Sequence, residues 1–525
     1  LLRANTRHKR GVFLAAKVIS MGLYGAEAFL VEVECDIGRS LPAFDLVGLP
    51  DAAVKESRER VRAALKNCGF DYPTGRITVN LAPADIRKEG PLYDLPVLMS
   101  VLISSGQLGA CLGDSAFLGE LSLFGELRPV NGVLPMCLKA KQAGLQKIYV
   151  PAQNAEEGAL VQGLTVYPVP NLTALIEHLS GRIPLAPASP PSPQDDPFPL
   201  PDFSQVKGQP QAKRALEVAA AGGHNILLIG PPGSGKSMLA KRLPSILPGM
   251  TFEEMIETTK IYSIAGALPQ GASLIRRRPC RSPHHTISAV GLSGGGLVPK
   301  PGELSLAHNG ILFLDELPEF SRAAMEVLRQ PIENETVTLS RAGVTLTYPC
   351  SVMLVAAMNP CPCGYFGHPS RPCTCSPAGV SRYLSRVSGP LLDRIDLHIE
   401  VPPVEFDQLS ASGSEEPSAA IQQRVERARA LQRERYRKHQ ASPAACNAKI
   451  LPELLKAACP MTESARRLLK LSFEKLGLSA RAYDRILKVA RTIADLDQEE
   501  IIQSGHMAEA VQYRSLDRKY WTERR

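Results

Sequence analysis

Residues 230–237 read Gly-Pro-Pro-Gly-Ser-Gly-Lys-Ser, directly after the apolar run 226–229 and directly before the helix-favouring stretch 238–242. A glycine-rich turn between a buried strand and a helix is the setting of a phosphate loop, whose backbone N–H groups turn toward phosphate oxygens. On this reading Gly230, Pro231, Pro232, Gly233, Ser234, Gly235, Lys236, Ser237 and Met238 line a nucleoside triphosphate. Lys236 brings a point charge to the outer phosphates, and the Ser237 hydroxyl is a ligand for Mg2+. Farther on, the buried-strand pattern 311–314 runs into Asp315-Glu316, where one acid can hold magnesium and the next can orient water. The eight-residue pattern alone could be a Gly/Pro turn. With the acid pair it predicts ATP binding and hydrolysis.

Three more groups could serve the same reaction. Residues 351–357 form a third buried-strand pattern that ends at Met358-Asn359, so the Asn359 amide sits where a terminal phosphate would lie at the carboxyl edge of a parallel sheet; otherwise it caps the turn before Pro360. Arg394, between Asp393 and Asp396, is either a locally paired arginine or a group that neutralises charge on a neighbouring subunit's phosphoryl transfer. Arg481 follows Ser479, an N-cap candidate, and would project from a first helical turn toward nucleotide or into solvent. Between the acidic strand and the third strand, Val337 and Leu339 alternate with polar residues, then Val344 and Leu346 do so again, which predicts a hairpin with Arg341 at its tip.

The elements that must position these groups fall into several domains. A chain of 525 residues exceeds one compact core, and 44% hydrophobic with 21% charged residues is ordinary for a globular protein. Proline dominates 184–201, a semi-rigid spacer, and 408–420 is polar and aperiodic. The division is 1–183, 202–407 and a helical region 421–525. No run approaches the roughly 18 apolar residues of a membrane span. The basic first residues lack a long apolar stretch and a small-residue cleavage site, so a cytoplasmic protein is expected. The net charge of +8 permits an anionic partner without demanding one.

Of the 12 cysteines most are scattered singly, as small buried residues are. Cys361, Cys363, Cys373 and Cys375 are two Cys-x-Cys pairs joined by a short Gly/Pro/His loop. Four thiolates can close a tetrahedral Zn2+ site; the one-residue spacing leaves reduced surface thiols or a redox pair as alternatives, with His368 as a substitute ligand.

The order of these motifs resembles AAA+ ATPases of the hairpin-bearing group that includes magnesium chelatase and replicative helicase subunits. The wording KRALEVAAAGGHNILLIGPPGSGKS, RSPHHTIS, LAHNGILFLDELPEF, AAMNPCPCGY and SGPLLDRIDLHIEV is similar to one branch, the magnesium-chelatase-like ComM/YifB family, over nearly the whole chain. The resemblance implies an α/β fold with a parallel-sheet ATPase core, a C-terminal helical lid and an N-terminal α+β domain like that of Lon proteases (ribosomal S5-like). It implies a homohexamer that loads on single-stranded or branched DNA, independent of sequence, and drives branch migration, with recombination proteins as partners and no membrane. In it Lys236 and Ser237 hold phosphates and Mg2+, Asp315 completes the metal site, Glu316 activates water, Asn359 is the first sensor, Arg394 the trans-acting finger and Arg481 the second sensor.

Segments in the first 183 residues resemble the Lon proteolytic domain, but Leu92 stands at its serine and Leu134 at its lysine, so the Ser-Lys dyad is absent. Arg276, Arg277, Arg278 and the run 281–286 form an insertion that suits a phosphate backbone, with a solvated basic surface as the alternative. Three function classes follow: a DNA motor, the motor subunit of a metal-inserting chelatase, and a protein remodeller or protease-associated ATPase.

Overall fold

Alternating buried and exposed side chains dictate the first sheet, and continuous apolar runs dictate the second. The computed structural model describes residues 16–109, 112–191, 199–269, 271–296, 299–341, 344–404, 415–438, 446–516 and 518–522. Its contacts divide the chain into one unit of residues 1–194 with 255–275 and another of 195–254 with 276–525.

The first unit holds β1 (Ala16–Tyr24), β2 (Glu27–Gly38), β3 (Ala43–Val47), β4 (Arg76–Ala82), β5 (Ser115–Phe117), the short pair β6 (Glu120–Leu121) and β7 (Leu127–Arg128), β8 (Lys147–Pro151) and β9 (Thr165–Val169). Seven of them form a mixed sheet in the order β3-β4-β2-β1-β5-β8-β9. The helices Asp94–Ser104 and Val133–Gln142 pack into its core through Leu95, Leu98, Leu134 and Met136. Leu92 and Leu134 are both buried in that core, so neither offers nucleophile or base at the positions the Lon resemblance marks. Ser100 is buried too, its hydroxyl donating to Val97 O at 2.7 Å.

Residues 255–275 depart from the expected division, which placed all of 202–407 in one domain. The helix Phe252–Ala265 carries Ile256 onto the first unit's core, Gly132 N donates to Ser263 O at 3.1 Å, and the Ser263 hydroxyl donates to the buried carboxylate of Glu157. Long-range burial outranks chain continuity there.

The second unit contains β10 (Ile226–Ile229), β11 (Cys280–Arg281), the small pair β12 (Gly294–Gly295) and β13 (Lys300–Pro301), β14 (Gly310–Leu314), the hairpin β15 (Thr336–Arg341) and β16 (Val344–Pro349), β17 (Val352–Met358) and β18 (Leu397–Glu400). Five strands form an all-parallel sheet in the order β11-β14-β17-β10-β18. Both faces are covered: Ile226 and Leu228 point into one core, Leu227 and Ile229 into the other. The alanine-rich helix Pro210–Gly222 lies in the first of these cores with the helices Ser418–Lys438, Ala480–Leu496 and Ser504–Gln512. The expected lid therefore shares a core with the ATPase sheet, and its first helix starts at Ser418, inside the segment expected to be a linker. Of that segment, residues 408–414 lie outside the described residues.

Candidate active site

β10 delivers the chain to Gly230, and the helix Lys236–Arg242 receives it six residues later. Gly235 stands at φ 92°, a left-handed conformation open to glycine and strained for a side chain, and it aims the following N–H groups into the turn. Lys236 is buried; its Nζ donates to Gly230 O (2.8 Å), Pro231 O (2.9 Å) and Asn359 Oδ1 (3.2 Å). Burial pushes its ammonium down to about 8 although Asp315 and Glu316 pull the other way. A polyphosphate is the counter-charge such a lysine lacks. The Ser234 hydroxyl is buried with no hydrogen-bond partner, a further group that a phosphate oxygen would satisfy.

Ser237 Oγ donates to Asp315 Oδ2 at 2.6 Å, so the hydroxyl and the carboxylate expected at Mg2+ already meet. Asp315 Oδ1 accepts from Glu316 N at 2.9 Å, which holds the carboxylate while the backbone at Glu316 turns to φ 53°. That turn leaves the Glu316 side chain 56% exposed, its Oε2 3.3 Å from His285 Nδ1. Lys236, Ser237, Asp315, Glu316 and Asn359 are thus gathered at the carboxyl edge of the parallel sheet, the edge where ligands of such sheets bind. ATP and Mg2+ fit this donor set: Lys236 and the loop N–H groups would hold the phosphates, Ser237 and Asp315 the ion. Met238 lies on the next helical turn, 37% exposed beside Gly235.

Arg394 and Arg481 stand apart from this group. Asn225, which precedes β10 at the opposite edge of the sheet, donates from Nδ2 to Arg394 O at 3.2 Å. Arg394 is buried there, its guanidinium paired with Glu333 and donating to Pro390 O at 2.7 Å, while its Nε has no partner. Arg481 Nε lies 4.0 Å from the same Glu333 carboxylate, with its side chain 59% exposed. The four residues of β10, roughly 13 Å of strand, lie between Asn225 and the phosphate loop.

The insertion reads differently from its composition. Arg278 is an internal pin, donating to Pro248 O (2.7 Å), Asn309 O (2.8 Å) and the Glu254 carboxylate (2.8 Å), and Arg281 forms a two-pronged pair with Glu303 at 2.6 and 2.7 Å. Arg278 is not the solvated arginine that the charge run suggests, because a carboxylate and local carbonyls consume its donors, whereas Arg281 stays 37% exposed beside Glu303. Arg341 ends β15, two residues before its hairpin partner Val344; residues 342–343 and the Arg341 side chain lie outside the described residues. Two groups escaped the sequence reading. Gln209, at φ 60°, donates to Pro402 O (2.6 Å) and Ser234 O (3.4 Å) and so braces the phosphate loop, a role signalled only by the Gly-Gln-Pro turn before its helix. Glu333, the carboxylate shared by both arginines, carries no local signal.

Comparison with known sequences places this geometry. Residues 202–409 match the family described as magnesium chelatase, subunit ChlI; residues 33–154 match subunit ChlI of Mg-chelatase, and 415–514 its C-terminal region. YifB of Escherichia coli (strain K12) is 44% identical over 499 residues, 94% of this chain and 96% of that protein. The competence protein ComM of Haemophilus influenzae is 44% identical over 510 residues, 96% of this chain and 98% of that protein. This chain belongs to the ComM/YifB family. The magnesium-chelatase 67 kDa subunit of Chlorobaculum parvum is a more distant match, 28% identical over 163 residues, covering 30% of this chain and 23% of that protein. A ComM/YifB chain is a magnesium-chelatase-like AAA+ ATPase, with an α/β core and a C-terminal helical region, and that family implies a nucleotide and Mg2+. Its four clustered cysteines form a set compatible with a structural metal.

Proposed function

We propose that this chain is the subunit of an ATP-driven ring, a hexamer, that grips single-stranded or branched DNA and promotes branch migration in recombination and natural transformation. The observation that carries the reading is the split of the catalytic groups. Lys236, Ser237, Asp315, Glu316 and Asn359 sit at one edge of the sheet, while Arg394 is held beside Asn225 at the other and shares Glu333 with Arg481, an arrangement that supports completion of the site by a second copy. Arg394 is the trans-acting finger and Arg481 the second sensor across that interface.

The hairpin β15–β16 lies in the chain between the acid pair Asp315-Glu316 and the strand that ends at Asn359, so a strand of DNA held by Arg341 is coupled to both. Sequence-independent grip requires only cations on phosphate, which agrees with the net charge of +8. The Haemophilus relative is a competence protein, which supports uptake-linked recombination as the setting. No described helix is long and apolar enough to cross a membrane, and we place the ring in the cytoplasm with recombination proteins as partners.

Steady-state ATP hydrolysis measured with no addition, with forked DNA and with unfolded protein tests this. Forked or single-stranded DNA stimulates hydrolysis several-fold; a flat response to every DNA overturns the reading. The match to chelatase subunits favours one alternative, a motor for metal insertion, which would respond to a chelatase partner and not to DNA.

A further inference from the structure

The loop that follows Asn359 brings four sulfurs together beside the phosphate loop. The Sγ atoms of Cys361, Cys363, Cys373 and Cys375 all lie within 4.8 Å of one another. Cys361–Cys363, Cys363–Cys373 and Cys361–Cys373 are separated by 3.3, 3.6 and 3.7 Å. A tetrahedral ion with metal–sulfur bonds of about 2.3 Å sets its sulfurs about 3.8 Å apart, whereas a disulfide needs about 2.05 Å; all four cysteines are free. His368 is not one of this set: its Nδ1 accepts from Arg371 N (3.0 Å) and Ser370 N (3.2 Å).

The cluster is tied to the nucleotide site at two points. Cys361 is buried and only two residues beyond Asn359, whose Oδ1 accepts from Lys236 Nζ. Gly364, at φ 85°, lies so close to the phosphate loop that a Cβ placed on it would stand 2.4 Å from Pro232 Cδ. Gly364 N in turn donates to Cys361 O at 3.0 Å, and the Cys363, Cys373, Cys375 and Phe366 side chains pack on the core beneath the sheet. Eighteen residues rich in Gly, Pro and Ser have little else to hold one conformation against chain entropy.

We propose that Cys361, Cys363, Cys373 and Cys375 bind one Zn2+ as thiolates, and that this ion clamps the loop so that Gly364 abuts Pro232 and Asn359 faces Lys236. The Zn2+ site is thereby a positioning device for nucleotide binding. Binding replaces four S–H protons, released to solvent, with four metal–sulfur bonds. Any ion with the same taste for soft tetrahedral sulfur would seat there; Zn2+ is the divalent cation whose bond lengths and coordination number match.

The experiment uses the full-length purified chain. Metal content by elemental analysis gives one Zn2+ per chain in the native protein and at most a tenth of that in Cys375→Ser. Affinity for a fluorescent, slowly hydrolysed ATP analogue then falls about ten-fold in Cys375→Ser and in native protein stripped by a chelator, and recovers in the stripped protein when Zn2+ is returned. Gly364→Ala keeps its Zn2+ and also loses affinity, because it disturbs the contact with Pro232 and leaves the ligands alone. A single cooperative unfolding transition of Gly364→Ala well above the assay temperature separates this from simple unfolding. Absence of stoichiometric metal overturns the site, and unchanged analogue affinity in both the stripped protein and Gly364→Ala overturns the clamp. The clamp rests on the ATP-binding reading of the phosphate loop, whereas the metal count does not: a chain that holds Zn2+ but binds no nucleotide under any condition refutes that reading and the clamp, and leaves the tetrathiolate site standing.

Discussion

His285 Nδ1 stands 3.3 Å from Glu316 Oε2, so the carboxylate expected to activate water is already engaged by a side chain from the insertion after β11. The His285 ring also meets Phe320 edge-on, with centroids 6.4 Å apart, which fixes its direction. A carboxylate bonded in this way is less free to take a proton from water. His285→Ala is expected to raise ATP hydrolysis in the absence of DNA and to narrow the stimulation by DNA. A pair this exposed is worth no more than about 1 kcal/mol, so the rise is about five-fold at most. Unchanged basal turnover would remove His285 from the control of Glu316.

Two inactive variants should rescue each other. Glu316→Gln removes the base, and Arg394→Ala removes the charge offered to the neighbour; each is expected to lower turnover at least about a hundred-fold while analogue binding persists. In mixed rings, a subunit with intact Glu316 next to one with intact Arg394 rebuilds a whole site. At equal amounts about a quarter of the interfaces qualify on random assortment. Recovery of hydrolysis on mixing confirms service in trans; none at any ratio means that Arg394 serves its own chain or none.

The two arginines flanking the insertion question should part company. Arg278→Ala strips four backbone or carboxylate partners and is expected to cost about 2–3 kcal/mol of stability, with no specific change in the salt dependence of DNA stimulation. Arg341→Ala is expected to leave the thermal midpoint within a degree or so while reducing DNA stimulation and its salt slope. The reverse pattern would show that the grip lies at Arg278.

Acid should loosen the second unit before it touches the chemistry. His224 is fully buried and burial lowers its pKa, against the pull of Asp396 3.6 Å away. Burial alone would raise Asp396, but Arg485, His224 and the N–H of Asn225 hold its carboxyl well below the ordinary range. Both groups have depressed values in the folded chain, so each contributes stability above its unfolded pKa and loses it as pH falls. The midpoint of thermal unfolding is therefore expected to drop from about pH 6.5 downward through the His224 step and again near pH 4 through Asp396. His224→Gln flattens the first step if it stems from that ring. Asp396→Asn is expected to cost about 3 kcal/mol at pH 7, because Arg485 loses its counter-charge.

A buried ion network in the helical region gives a matching test. Asp495, inaccessible to solvent, accepts from Arg491 Nε at 3.1 Å, from Arg435 NH1 at 3.0 Å and from Asn447 Nδ2 at 2.8 Å. Asp495→Ala strands two arginines and is expected to cost about 3–5 kcal/mol, read by denaturant unfolding of the second unit. A loss below about 1 kcal/mol would mean that water reaches the network.

What could be read along the chain was whatever is contiguous. The phosphate loop, the apolar strands before it and before Asp315-Glu316, the hairpin and the paired cysteines are each set by a few neighbouring residues, whose periodicity and backbone freedom determine local conformation. Contacts distant in sequence had to be supplied by the fold. Ile256 joins the first unit by packing on its core and Ser263 by its bond to the buried Glu157, although the chain on both sides belongs to the second. Arg278 turns inward because Glu254 and the Asn309 carbonyl meet there, and the Arg276–Arg278 charge run alone cannot disclose that. Glu333 gathers Arg394 and Arg481 across 61 and 148 positions, and Pro232 meets Gly364 across 132. Such pairings depend on burying apolar surface around a parallel sheet whose strand order differs from chain order, so short-range pattern carries the chemistry of each group and only the packed sheet decides which groups face each other.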